Sequence, residues 1–167
     1  MTPEQAAGLL QYFLPALQQE SATTAKVLAA VPDDKADYAP AEKSMTAQKL
    51  ASHIAETDMW FLKSVAAGKF EMPGESPAKA PSEAAAEYSS QMPGLIEALK
   101  ALTPEQLAAE LDFYTWKLPA VAYVDFCIRH MIHHRGQLSA YLRPMGAKVP
   151  SIYGGSADEP MSEAAAG

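Results

Sequence analysis

Residues 119–142 read PAVAYVDFCIRHMIHHRGQLSAYL, and this stretch decides the fold. Set His130 at zero on a helical wheel and advance about 100° per residue. Val124, Cys127, Met131, Leu138 and Leu142 then fall between about 60° and 120°, a single apolar stripe that must be buried against neighbours. Pro119 opens the helix and Pro144 disfavours helical geometry at Arg143, so it closes near Leu142. A helix with one apolar stripe needs partners of its own kind, and the sequence upstream supplies three.

Thr2-Pro3-Glu4 is a capping start, followed by apolar spacing over 3–30, with Pro15 expected to kink it. Thr46 caps a second helix, 46–67, which stops at Gly68. A third runs over 82–102, with Met92-Pro93-Gly94 expected to kink or split it. Thr103-Pro104-Glu105 repeats the capping start and predicts a short helix to about Glu110. Ala, Leu, Glu, Gln and Lys are common while β-branched residues are sparse, which favours helix. LDFYTWKL, Leu111 to Leu118, is the one strand candidate. The reading is an all-α domain, a four-helix bundle over 1–155, with 156–167 expected to be a flexible C-terminal tail.

The chain has 167 residues, 49% hydrophobic and 20% charged, which suits one soluble domain. Its net charge of −7 argues against partners held through phosphate, so neither nucleic acid nor an anionic membrane surface is expected. No apolar run approaches the roughly 18 to 20 residues that span a bilayer. The lone Cys127 excludes an internal disulfide and suits a reducing compartment. The N-terminus lacks the basic region of a secretory signal, so a cytoplasmic location is expected.

Four histidines are present, His53, His130, His133 and His134. His130 and His134 are four apart, so they project from one helix face and two imidazoles can reach a common ion. His134 lies near 40°, beside the apolar stripe, whereas His133 lies near −60°, towards Arg129 and solvent. On the second helix His53 likewise borders its stripe, formed by Leu50, Ile54, Phe61 and Val65. Two helices with histidines at the stripe's edge can face one another, and a triad of His53, His130 and His134 would leave open positions on a metal. The bland alternative is that these are satisfied core histidines. A ferritin-like centre is excluded because no Glu-x-x-His motif occurs, and a zincin because residue 131 is Met.

HMIHHRGQLSAYLRPMGAKVPSIYGG resembles the last helix and following loop of the DinB/YfiT-like superfamily, through His130-x-x-x-His134-Arg135-Gly136-Gln137, Tyr141-Leu142-Arg143, Gly146, Pro150 and Tyr153-Gly154. SMTAQKLASHIAETDMWFL resembles that family's second helix, with its histidine at His53. The resemblance implies an up-down-down-up bundle, often homodimeric. It also implies a divalent metal, nickel or zinc, held by His53, His130 and His134. By the same resemblance the protein would act on a small molecule, by hydrolysis or by transfer to a low-molecular-weight thiol. A non-catalytic, dimeric, stress-related protein with a structural metal is the rival reading.

Several neighbours carry expectations of their own. Cys127, one turn before His130, is either a fourth ligand that closes the site or a small core hydrophobe. Thr57 is placed to orient His53. Gln137 and Tyr141 extend the histidine ridge, and Arg135 is expected to hold a surface carboxylate. Gly136 would permit close helix packing. Phe113, Tyr114, Trp116 and Tyr123 wall the core, a dimer interface or an apolar substrate pocket. Glu56 points away from the stripe, leaving no carboxylate base.

Overall fold

The computed structural model describes residues 1–74 and 76–161. Four long helices form the bundle: α1 (Pro3–Ala29), α2 (Ala47–Ala67), α3 (Pro81–Lys100) and α5 (Ala120–Leu142). A short α4 (Pro104–Ala108) and a hairpin of β1 (Glu110–Phe113) and β2 (Trp116–Pro119) lie between α3 and α5. Thr2, Thr46 and Thr103 cap α1, α2 and α4 as their sequence contexts predict, and Gly68 ends α2 with φ at +71°.

α1 packs against α3 and α5, and α2 against the same two, so α1 and α2 sit diagonally. Hydrogen bonds fix the directions. Gln48 Nε2 donates to the Ala78 carbonyl at 2.9 Å and Ser52 Oγ accepts from the Lys79 N–H at 2.8 Å. The connector after α2 thus returns to the start of α2 before α3 begins, and the two helices run parallel. Asp33, just after α1, accepts from the Ser82 amide and hydroxyl at the start of α3, so α1 and α3 run antiparallel. Tyr141, at the end of α5, donates to the Met45 carbonyl before α2, which makes α2 and α5 antiparallel. The result is up-down-down-up.

The stripes predicted to be internal are internal: Leu50, Ile54, Phe61, Val65, Val124, Ile128, Met131, Leu138 and Leu142 are all buried. Neither Pro15 nor Pro93 interrupts its helix, so α3 is not split at Met92-Pro93-Gly94. Both face solvent, where the carbonyls that lose a partner stay hydrated, while Leu10, Leu17, Met92 and Ile96 pack on the inner side. LDFYTWKL is a true hairpin, pairing Leu111 with Leu118 and Phe113 with Trp116. Within the segment expected to be a tail, Asp158 and Glu159 hydrogen-bond to the loop before it. Asp158 accepts from Arg143 and from the Val149 N–H at 2.9 Å, and Glu159 accepts from the Ser151 N–H at 2.8 Å. The remainder of that expected tail, 162–167, lies outside the described residues.

Candidate metal centre

α2 and α5 cross-contact in antiparallel order: His53 meets His134, Asp58 meets His130, and Phe61 meets Phe126. That order follows from their stripes, which bury Leu50, Ile54, Met131 and Leu138 and leave the bordering histidines at the mouth of the groove. The Nε2 atom of His53 lies 3.2 Å from that of His134 and 3.1 Å from that of His130. The ligand atoms of all three lie within 4.8 Å of one another. Among the described residues no thiol or carboxylate joins them. His133 is exposed and outside the cluster, with its ring against that of His134.

Every ring turns its other nitrogen onto an oxygen. His130 Nδ1 lies 2.7 Å from Asp58 Oδ1, His134 Nδ1 2.8 Å from Gln137 Oε1, and His53 Nδ1 3.3 Å from Thr57 Oγ1. A neutral imidazole has one N–H. Where Nδ1 spends it on an oxygen, Nε2 presents a lone pair, and three lone pairs facing one another lack a donor among themselves. A cation supplies what they lack. Bonds of about 2.0–2.1 Å at angles between 90° and tetrahedral would separate ligand nitrogens by about 2.9–3.4 Å, and both separations from His53 Nε2, 3.2 and 3.1 Å, fall in that range. The residues present fit a divalent ion.

Burial, reinforced by the mutual proximity of the imidazoles, holds His53 down to about 4. Burial also holds His130 at about 4, with His133 adding to the effect. His134 is lowered by burial too, partly opposed by its bond to Gln137. The rings are therefore neutral near pH 7, the state that ligates a metal. Asp58 is fully buried, and that burial pushes its carboxyl well up, against the smaller stabilising effects of Tyr88 and Arg135. Its second oxygen accepts from the Tyr88 hydroxyl at 3.3 Å.

The other expectations resolve one by one. Cys127 is fully buried and its thiol donates to the Asp58 carbonyl at 3.6 Å, so it is core and no ligand. Thr57 sits where an orienting partner of His53 should, and Gln137, on the histidine ridge, turns its Oε1 onto His134 Nδ1 instead of outward. Tyr141 turns away, to Met45 and to a ring contact with Tyr38. Gly136 is exposed, with open space where a Cβ would stand, so close packing does not explain it. Glu56 faces Lys79 across 4.0 Å. Arg135 holds no surface carboxylate. It is 1% exposed and paired with Glu20 at 2.5 Å, and Tyr153 bridges the two.

Asp58 is the functional residue the sequence reading missed. Its signal was present: Asp58 follows His53 by five residues, and Arg135 follows His130 by five, which puts both near 140° on their wheels, on the core side. A charged residue there must find a partner.

All three histidines are half-buried. A cleft of about 310 Å³ lies between α1 and α3, and one of about 510 Å³ lies between α2, the 68–80 connector and α3. Neither contains the histidines, although Thr57 lines the larger one.

The sequence profile of the DinB family matches residues 4–164. Two Bacillus subtilis proteins are similar along much of their length. YrdA is 27% identical over 153 residues, 90% of this chain and 91% of its own, and YjoA is 32% identical over 119 residues, 68% of this chain and 75% of its own. Among solved structures, a DinB-like protein of Bacillus cereus superposes with a TM-score of 0.72 at 27% identity, covering 88% of this chain and 97% of its own. Bacillus subtilis YfiT, described as a probable metal-dependent hydrolase with an unusual four-helix bundle topology, superposes at 0.64 with 17% identity, covering 89% and 91%. A mycothiol-dependent maleylpyruvate isomerase shares the fold at 0.58 with 13% identity, covering 86% of this chain and 65% of its own.

Proposed function

Since the chain belongs to the DinB family, we propose that it is a divalent-metal-dependent enzyme acting on a small molecule, with His53, His130 and His134 holding nickel or zinc. The observation that carries this reading is the pairing of roles on each ring: Nε2 towards the common point, Nδ1 onto Asp58, Gln137 or Thr57. Oxygen partners on the far nitrogen are what fix tautomer and orientation in histidine metal sites. Asp58 gains most from a cation nearby. Its buried charge is costly alone, and an ion beyond the imidazole compensates it while drawing the shared proton onto His130 Nδ1.

When bound by three neutral ligands, such an ion lowers the pKa of a coordinated water or thiol and stabilises the anion. This chain's residues supply orientation, with Glu56 facing Lys79 and Asp58 committed to His130. That arrangement suits a nucleophile activated by the ion itself, water for hydrolysis or a low-molecular-weight thiol for transfer. The description of YfiT supports hydrolysis, and that of the isomerase supports a thiol. The rival structural role would need a closing ligand, and buried Cys127 does not reach the site. The family resemblance further proposes a cytoplasmic homodimer, which light scattering would test.

The deciding experiment is metal analysis of protein purified without a histidine tag. We expect about one ion per chain, lost in His134→Ala with the fold retained, because the stripes hold the bundle without it. Cys127→Ala should keep the ion and cost about 1 kcal/mol. A His134→Ala chain that unfolds, or a Cys127→Ala chain that loses the ion, would return the site to a structural role.

A further inference from the structure

Aromatic rings continue the histidine cluster outward, and they are only partly covered. Phe61, buried on α2, lies 6.3 Å from the His130 ring and 5.1 Å from Phe126, one turn earlier on α5. Phe126 lies 5.4 Å from Trp116 of β2, and Phe113 of β1 lies 5.7 Å from Trp60 of α2. Trp60, Phe113 and Phe126 are half-buried, and Trp116 is 48% exposed. Core aromatics are covered on all sides. These four keep open surface, are contiguous through ring contacts, and connect through Phe61 to the half-buried His130.

The hairpin is what completes the row. Two strands of four residues are marginal alone, and β2 buries little: Trp116, Lys117 and Leu118 are all exposed. Its turn holds Tyr114 at a φ of +53°, a conformation costly for a bulky residue. The register places Phe113 opposite Trp116, so the strained turn sets both rings on the row that leads to His130. Backbone strain and solvent-facing apolar surface beside a polar centre are features of ligand sites.

We propose that this row is the subsite for an uncharged aromatic ring of the substrate, whose polar donor atom reaches the histidine centre. The inference rests on the metal reading above and adds a substrate class to it. Rings favour ring edges and faces over aliphatic surface, and the row is built of them from Phe61 to Trp116. A helical turn separates Phe126 from His130, about 5–6 Å along the axis, so the ring and the donor atom belong to adjacent parts of one small molecule. An aryl-acyl or arylmethyl-thiol compound has that form.

Benzohydroxamate and acetohydroxamate, which differ in the ring alone, provide the probe pair on zinc-loaded protein. Calorimetric Kd values and quenching of the two tryptophans, Trp60 and Trp116, are the readouts, with zinc content measured on each sample. We expect the aryl compound to bind at least about tenfold tighter. Trp116→Ala, at an exposed position that does not endanger the fold, and Phe126→Leu should each cut that ratio to about threefold or less, leaving zinc content and the acetohydroxamate Kd unchanged. Zinc-loaded protein with no aryl preference, or with the same preference in both variants, overturns the subsite alone. Protein that takes up no zinc overturns the metal reading, and this inference with it.

Discussion

Asp58 illustrates how a single buried carboxyl can govern a site it does not line. It touches His130 on the side away from the common point, so Asp58→Asn should leave the three rings in place but weaken zinc binding about 10–100-fold, as competition with a chromophoric chelator would show. Protons act on the same residues. In metal-free protein His53 and His130 are held at about 4, against about 6.5 when unfolded. Between those values the unfolded chain binds more protons on these rings, so stability falls as pH falls from about 6.5 to 4. Asp58, pushed upward, acts in the opposite sense, but it contributes one proton against two. Melting should therefore occur at a lower temperature at pH 5 than at pH 7. The histidines were legible because they border apolar stripes. Asp58 and Arg135 were not, because their partners lie 72 and 115 residues away, on other helices.

At the scale of elements, local signals did well where they were self-contained. Each Thr-capped start was readable, and so was Gly68, whose left-handed φ is written in the residue type. Pro93 does not split α3 because a proline's cost depends on which face it occupies, and Pro93, like Pro15, occupies the wet one. Pro15→Ala restores a backbone donor within α1 and should stabilise the protein by about 1–2 kcal/mol, net of the looser unfolded chain. A rise in Tm of about 2–8 °C in calorimetry would register it. The hairpin was ambiguous because its turn is Tyr114-Thr115, without the Gly or Asn that announces a positive φ. Tyr114→Asn should accordingly be neutral to stabilising, by up to about 1 kcal/mol in urea unfolding, since Asn tolerates that φ.

Across the whole molecule, Glu20, Arg135 and Tyr153 join α1, α5 and the C-terminal loop through one buried ion pair and its bridging hydroxyl. Glu20→Gln leaves the Arg135 charge buried without its counterion and should cost about 3–5 kcal/mol, whereas replacing both partners by Leu and Met should recover much of that loss. Urea midpoints of the single and double variants measure the difference. The bundle's connectivity has a consequence for how the protein is made. His53 and His130 are 77 residues apart, so at 5–20 residues per second His53 is synthesised about 4–15 s before its partner. In that interval α1, α2 and α3 exist without the helix that fills the groove between α1 and α2. An apolar trough stands open on the nascent chain, the moment at which a chaperone has most to cover and a protease most to cut. Stalled chains ending near Pro119 should be digested readily, and chains extended past Leu142 should resist.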